Sequence, residues 1–275
     1  MPEFVQVDPL ENPEQANAQI AAILSDSGPS QAPEPKPTME PPRDGQCTLP
    51  GLGYKVEVRE LTGEDEEALA KVRSSYPRWM STLLERAVVS INGEPADSDA
   101  VNMLLVGDRD YLLLVIRRVT WGPEIELPAV YCPLCEEEFE AIVHVDDVPI
   151  KRLDKPDDAT FTVELRDGAQ AEVRLPNGND QTALLENEKW TRAEQNTRLL
   201  QRCISTLIDA QGNELPVAGF PSMVRGMSVS DRHKVLNAMD KRAPGAKYAE
   251  VTVKHDECGE TVPVPLGTAA LFPDL

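Results

Sequence analysis

The stretch "YCPLC" at residues 131–135 sets Cys132 and Cys135 three positions apart in a chain with five cysteines. Thiol pairs at this spacing suit a tetrahedral metal, because one tight turn brings both sulfurs round a common point. Two more donors are needed. The stretch "VKHDECGE" carries His255 and Cys258 at the same spacing, 123 positions further on, as H-x-x-C. Three thiolates, one neutral imidazole and Zn²⁺ sum to a net charge of −1 and leave no coordination position for a substrate, so the expected site is structural. Two rival readings stand beside it. The cysteines could be inert, small apolar residues of a core, or a redox dithiol, which wants a depressed thiol pKa. Glu136, Glu137 and Glu138 follow the pair directly, and negative neighbours act the other way. His144, on the outgoing strand, is the reserve ligand. Cys47, in a proline-rich stretch, and Cys203, on an apolar helix face, have no partner by spacing.

Little else in the chain is equipped for chemistry. Glycine-rich phosphate loops, a nucleophile elbow and an H-E-x-x-H motif are missing from the sequence. With His255 assigned to metal, few histidines remain as general bases, and His233, beside Asp231 and Arg232, reads as a solvated helix residue. Trp79, Trp121 and Trp190 read as core or helix-end anchors. The expectation is no enzyme. Acids outnumber bases by 47 to 27, which disfavours nucleic acid and membrane surfaces as partners, since both are polyanions. From Tyr131 to Ile150 there are six carboxylates and no Lys or Arg, so the knuckle itself would repel phosphates. The longest apolar run, Leu112 to Ile116, is too short for a bilayer. No basic and then apolar leader opens the sequence, and five unevenly spaced cysteines do not form a disulfide framework. A soluble protein of a reducing compartment is expected.

The elements that must position the four donors recur along the chain. "VEVRELTGEDEEAL" (56–69) is answered by "AEVRLPNGNDQTAL" (171–184), "LLERAVVSI" (83–91) by "LLQRCISTL" (199–207), and "DRDYLLLV" (108–115) by "DRHKVLNA" (231–238). Three matches in order point to two diverged copies. In each, a strand leads to a capped helix, with Thr62 and Asp65 spaced as a capping box. A second helix carries Met80, Leu83, Leu84, Ala87, Val88 and Ile91 on one face, answered by Leu199, Leu200, Cys203, Ile204, Leu207 and Ile208. A third helix begins near Asp108 or Asp231, each placed to cap backbone amides, and a "WG" or "PG" turn ends it before the knuckle. The expected fold class is α+β. Two diverged helix/strand repeats, 51–155 and 156–275, meet at a zinc-ribbon-like knuckle pair about a pseudo-twofold, with strands "VEVRE" and "AEVRL" in equivalent places. Residues 1–50 hold ten of the 24 prolines, eight acids and two bases, the composition of an extended arm that cannot bury enough apolar surface to fold alone. One short helix is expected inside it, with Asn12 as N-cap, Pro13 after it, and Ile20, Ile23 and Leu24 on one face.

Taken together, "VEVRELTGEDEEALA", "LLVGDRDYLLLVIRRVTWG", "CPLC" with its strand and the terminal "CGETVPVPLGTAALFP" resemble the baseplate hub and hub-assembly proteins of contractile-tailed bacteriophages of the T-even type. The resemblance spans about residues 50–275 and is strongest over 56–148. It implies a non-enzymatic part of a contractile tail, in a virion or a related injection system. Other baseplate, hub or tail-tube proteins would be its partners, after assembly in the host cytoplasm. A factor that helps build the hub and then leaves is the alternative; an acidic zinc-ribbon adaptor in transcription fits the metal but not the tail-like motifs. Cys132, Cys135 and Cys258 match the family's cysteine pairs, whereas His255 stands where a cysteine is expected. The second copy reads "LPNGND" where the first has its L-T-G motif.

Overall fold

The computed structural model describes residues 45–185, 189–216, 222–273 and 275. The helix expected around Ile20, Ile23 and Leu24 lies outside the described residues. The first strand comes earlier than composition indicates. β1 (Gln46–Thr48) pairs antiparallel with β2 (Lys55–Val58), Cys47 opposite Val56. Cys47 is thus a buried core residue on a strand, not part of the arm, and burial pushes its thiol up to about 12.

After β2 come α1 (Gly63–Ala70) and α2 (Tyr76–Ala87), then β3 (Val88–Ile91) and β4 (Glu94–Pro95). α2 buries Met80, Leu83, Leu84 and Ala87, as its spacing predicts. It stops there, however, and Val88 and Ile91 continue as a strand. Val88 already has an extended backbone (φ −80°, ψ 117°). The β-branched pair Val88 and Val89 loses little on becoming a strand and more on remaining helical. β1 to β4 form one antiparallel sheet in sequence order. α3 (Ser98–Met103) leads into α4 (Val106–Trp121), which buries every residue from Tyr111 to Arg117. A helix apolar on all sides belongs in the middle of a core. Gly122, at φ 87°, ends it, and the hairpin β5 (Glu124–Tyr131) and β6 (Glu138–His144) follows.

A short strand, β7 (Ile150–Lys151), precedes the same order of elements again: β8 (Thr160–Glu164), β9 (Gln170–Arg174), α5 (Gly178–Leu185), α6 (Arg192–Cys203), β10 (Ile204–Ile208), β11 (Glu214–Pro216), α7 (Ser222–Gly226) and α8 (Val229–Arg242). β8 to β11 also form one antiparallel sheet in sequence order. Here too the helix α6 turns directly into a strand, at Ile204 (φ −84°, ψ 116°). β12 (Gly245–Ala246) pairs with β7; then come β13 (Thr252–Lys254), β14 (Thr261–Pro263) and the closing helix α9 (Thr268–Leu271).

Two cores result. One gathers residues from Cys47 to Val148 together with Val251 to Phe272; the other gathers Val163 to Met239 with Leu105. The end of the chain therefore returns to the core of its first half. Between the cores the backbones approach closely. The Val106 amide donates to the Pro176 carbonyl (3.0 Å), and Gly178 donates to Leu104 (3.1 Å). Gly107 lies against Pro244, where a Cβ would come 1.9 Å from the carbonyl oxygen. None of the described helices is long and apolar enough to cross a membrane.

Candidate metal centre

Each pair of candidate ligands sits on a turn closed by backbone hydrogen bonds. In the first, Cys132 donates to the Glu137 carbonyl (2.9 Å) and Glu136 donates back to Cys132 (3.0 Å); in the second, His255 donates to Glu260 (2.8 Å) and Gly259 to His255 (2.7 Å). The turn needs a left-handed residue at its fifth position, counted from Cys132 or His255. Gly259 supplies it at φ 73°, and Glu136 at φ 61°. Glycine adopts this conformation without strain, glutamate does not.

The two turns face each other. Cys132 Sγ lies 3.5 Å from Cys258 Sγ, Cys135 Sγ 3.3 Å from His255 Nδ1, and His255 Nδ1 3.2 Å from Cys258 Sγ. All four donor atoms fall within 4.8 Å of one another. A tetrahedron with metal–ligand bonds of about 2.0–2.3 Å has edges of roughly 3.3–3.8 Å. The donor set and its spacing therefore fit a closed tetrahedral ion such as Zn²⁺. Cys132 and His255 are buried, and the Phe139 ring stacks on the imidazole at 4.2 Å, fixing its plane.

The thiols differ in their surroundings. Burial alone would raise Cys132, but amides of Cys135 and Leu134 and the neighbouring thiols bring it down to about 6. Cys135 is pushed up to about 11, first by burial and then by the adjacent sulfurs. One thiolate forms readily and discourages the next.

The other sequence candidates stay apart. His144 lies outside the cluster, with Nε2 3.6 Å from Glu124. His233 is exposed, and Cys203 is buried at the end of α6. Asp108 and Asp231 lie inside their helices, which begin at Val106 and Val229. Asp108 accepts hydrogen bonds from the Gly51 (2.6 Å) and Leu52 (3.0 Å) amides, far away in sequence, rather than from its own helix.

Sequence spacing did not reveal a second kind of centre. Asp65, read as half of a capping box, does accept from the Thr62 amide (2.8 Å), but its main partners are two arginines. Arg59 donates to both of its oxygens (2.7 and 2.9 Å), and Arg86 Nε adds a third bond at 2.5 Å. Asp180 is held in the same way, by Arg174 (2.5 and 3.0 Å), Arg202 Nε (2.6 Å) and the Asn177 amide (3.0 Å). Both carboxylates are fully buried. Further bonds recur in the two halves. Arg109 donates to Ser81 Oγ (3.2 Å) and Arg232 to Thr197 Oγ1 (2.6 Å); Gly51 donates to Asp108 and Arg166 to Asp231 (3.0 Å). The available signal was the identity of these Arg and Asp residues in the two matched stretches.

The family model for T4 bacteriophage base plate protein matches residues 43–272. The chain belongs to that family. The match begins before residue 50 and so includes β1, in agreement with Cys47 being a core residue. Neither a curated protein nor a solved structure matches the chain. Membership points to a structural role in the baseplate of a T4-type phage, and hence to the virion tail.

Proposed function

We propose that this protein is a non-enzymatic structural component of a contractile-tail baseplate, held together by one Zn²⁺ on Cys132, Cys135, His255 and Cys258. The gathering of these four side chains from two distant turns carries the reading, together with the family match. Zinc would supply a cross-link and no reaction, because all four positions are taken by protein donors. The halves 51–155 and 156–275 are, on this reading, diverged copies. The twofold recurrence of element order and of the Arg–Asp–Arg arrangement supports it. The last hairpin of the second copy returns to the first and completes the metal site.

Its partners are other baseplate, hub or tail-tube proteins, reached after assembly in the host cytoplasm, in a phage tail or a related contractile injection system. Nucleic acid and membrane are not among them, given a net charge of −20. The arm, residues 1–44 now that β1 belongs to the first sheet, fastens the protein to neighbours, and many copies in one particle would compensate for modest individual affinity. Mass spectrometry of purified sheathed particles tests the assignment: the protein is expected in finished particles. Its absence from them, with a requirement during assembly, would assign it instead as a hub-assembly factor. Deleting residues 1–45 is expected to leave folded, zinc-containing protein that does not enter particles.

A further inference from the structure

Among the described strands, β6 is paired only with β5, and β13 only with β14. Between β6 and β13 lies a groove of about 470 Å³, lined by consecutive residues of both, Phe139 to Val143 and Thr252 to Glu257. Side chains on a strand alternate between faces, so lining by consecutive residues means that a strand edge borders the space. Val143, buried, and Phe139, Ala141 and Val253, half-buried, line the groove beside polar residues, with the buried His255 among them. The rim is acidic, with Glu140, Asp147, Asp256 and Glu257 against a single base, Lys254. Ile142 on the same edge is 57% exposed, and Leu134 at the tip of the hairpin 62%.

Open strand edges are ordinarily blunted by lysine, proline or a bulge. β5 has such protection, with Pro128 and a register break between Leu127 and Val130. β6, with the sequence "EFEAIVH", has neither lysine nor proline, and its charges, Glu138 and Glu140, are acidic. Away from Phe139, whose ring stacks on His255, its outer amides and carbonyls have no strand partner among the described strands.

We propose that this groove receives an extended, basic segment of a neighbouring protein, which pairs with the β6 edge and sets its lysines or arginines against the acidic rim. Strand addition of this kind draws affinity from main-chain hydrogen bonds and selectivity from alternate side chains. The chain's own residues 1–44 are a poor match, with eight acids and two bases. The source of the segment, a baseplate neighbour, rests on the reading above; the groove and its chemistry do not.

The test uses full-length protein and a fluorescent peptide of alternating lysine and valine, with a glutamate–valine peptide and a peptide of residues 1–44 as comparisons. The lysine–valine peptide should bind with an affinity that falls as salt rises, and should slow hydrogen exchange at the amides of Phe139 to Val143. Glu140→Lys should weaken binding by about tenfold, as expected for reversing a charge at a complementary interface. Ile142→Ala should weaken it without changing the salt dependence. Zinc content and melting temperature, measured on the same samples, should be unchanged, which separates failure of the groove from failure of the metal site. Equal binding of the glutamate–valine peptide, unslowed exchange along β6, or indifference to Glu140→Lys would overturn the proposal. So would occupation of the groove by residues 1–44 or by a second copy.

Discussion

Cys132 and Cys258 are separated by 126 positions in the chain, yet their Sγ atoms stand 3.5 Å apart. Disulfide sulfurs sit at about 2.05 Å. The observed distance is instead close to the edge of a tetrahedron around a shared ion. An ion bound here would tie the end of the chain to a hairpin made early in it, and so link the returning segment Val251 to Phe272 to the core it joins.

Purified protein should contain one zinc per chain by elemental analysis. Cys135→Ser should release it and lower the melting temperature sharply, because a structural zinc contributes on the order of 10 kcal/mol of apparent folding free energy in small domains. Chelator should have the same effect on the unaltered protein. Equal melting temperatures with and without metal would remove the zinc assignment.

Asp65→Asn and Asp180→Asn should each destabilise by about 2–3 kcal/mol, less than the 3–5 kcal/mol of a fully buried pair, because the arginines keep solvent contact. The side chains of Arg59 and Arg86 are 39% and 35% exposed. Arg59 is the chief cause holding Asp65 well below the usual carboxylate range; at Asp180, bonds from Arg174 and Asn177 outweigh the opposing effect of burial. Depressed acids stabilise the fold above their unfolded pKa, and that stability is lost as pH falls below about 4. Denaturant midpoints of the two variants should approach that of the parent protein in acid. The double variant should show a sum within about 0.5 kcal/mol, since the sites share no partner.

Asp108 behaves in the opposite sense. Burial outweighs its two amide bonds and pushes its carboxyl up to about 6. The folded state then holds a proton that the unfolded state releases, so this group's contribution to stability declines as pH rises from about 4 to about 6. Asp108→Asn should abolish that slope. It should also cost about 1–3 kcal/mol at neutral pH, because its NH₂ group would face an amide of Gly51 or Leu52. Stability measured across pH 4 to 7 for both proteins checks the sign.

The equivalent turn positions Glu136 and Gly259 should respond oppositely. Gly259→Ala would meet no atom within 4 Å but would hold alanine at φ 73°, a strain of about 1–2 kcal/mol. Glu136→Gly relieves that strain and should raise the melting temperature, less the added entropy of an unfolded glycine, about 0.5–1 kcal/mol. Thermal melts of zinc-loaded protein would show whether the signs differ.

Gly107→Ala should be among the most damaging single changes in the chain. Its Cβ would stand 1.9 Å from the Pro244 carbonyl oxygen and 3.3 Å from Gly245 Cα. Backbone cannot yield there without parting α4 from β12. Gly63→Ala, with nothing within 4 Å of the new carbon, is the control and should leave the melting temperature near its original value.

The sequence alone singled out Cys132, Cys135, His255 and Cys258, which the fold brings together, because residue type and three-residue spacing are local chemistry and the offset of 123 positions links the two turns. It also determined the buried faces of α2 and α6, where apolar residues recur at helical spacing. Tertiary structure decided what the same letters could not. Val88 and Ile91 keep the helical spacing yet form a strand, since periodicity cannot distinguish the end of a buried helix from the start of a buried strand. Asp65 has the position of a capping residue, but Arg86, 21 positions away, can be recognised as its partner only once α1 and α2 are packed. Cys47 follows a run of prolines and would pass for arm until β2 pairs with it. Nor does composition say that the last hairpin joins the first core rather than the second. That choice rests on contacts between residues more than a hundred positions apart, whose energies exist only after the chain has closed.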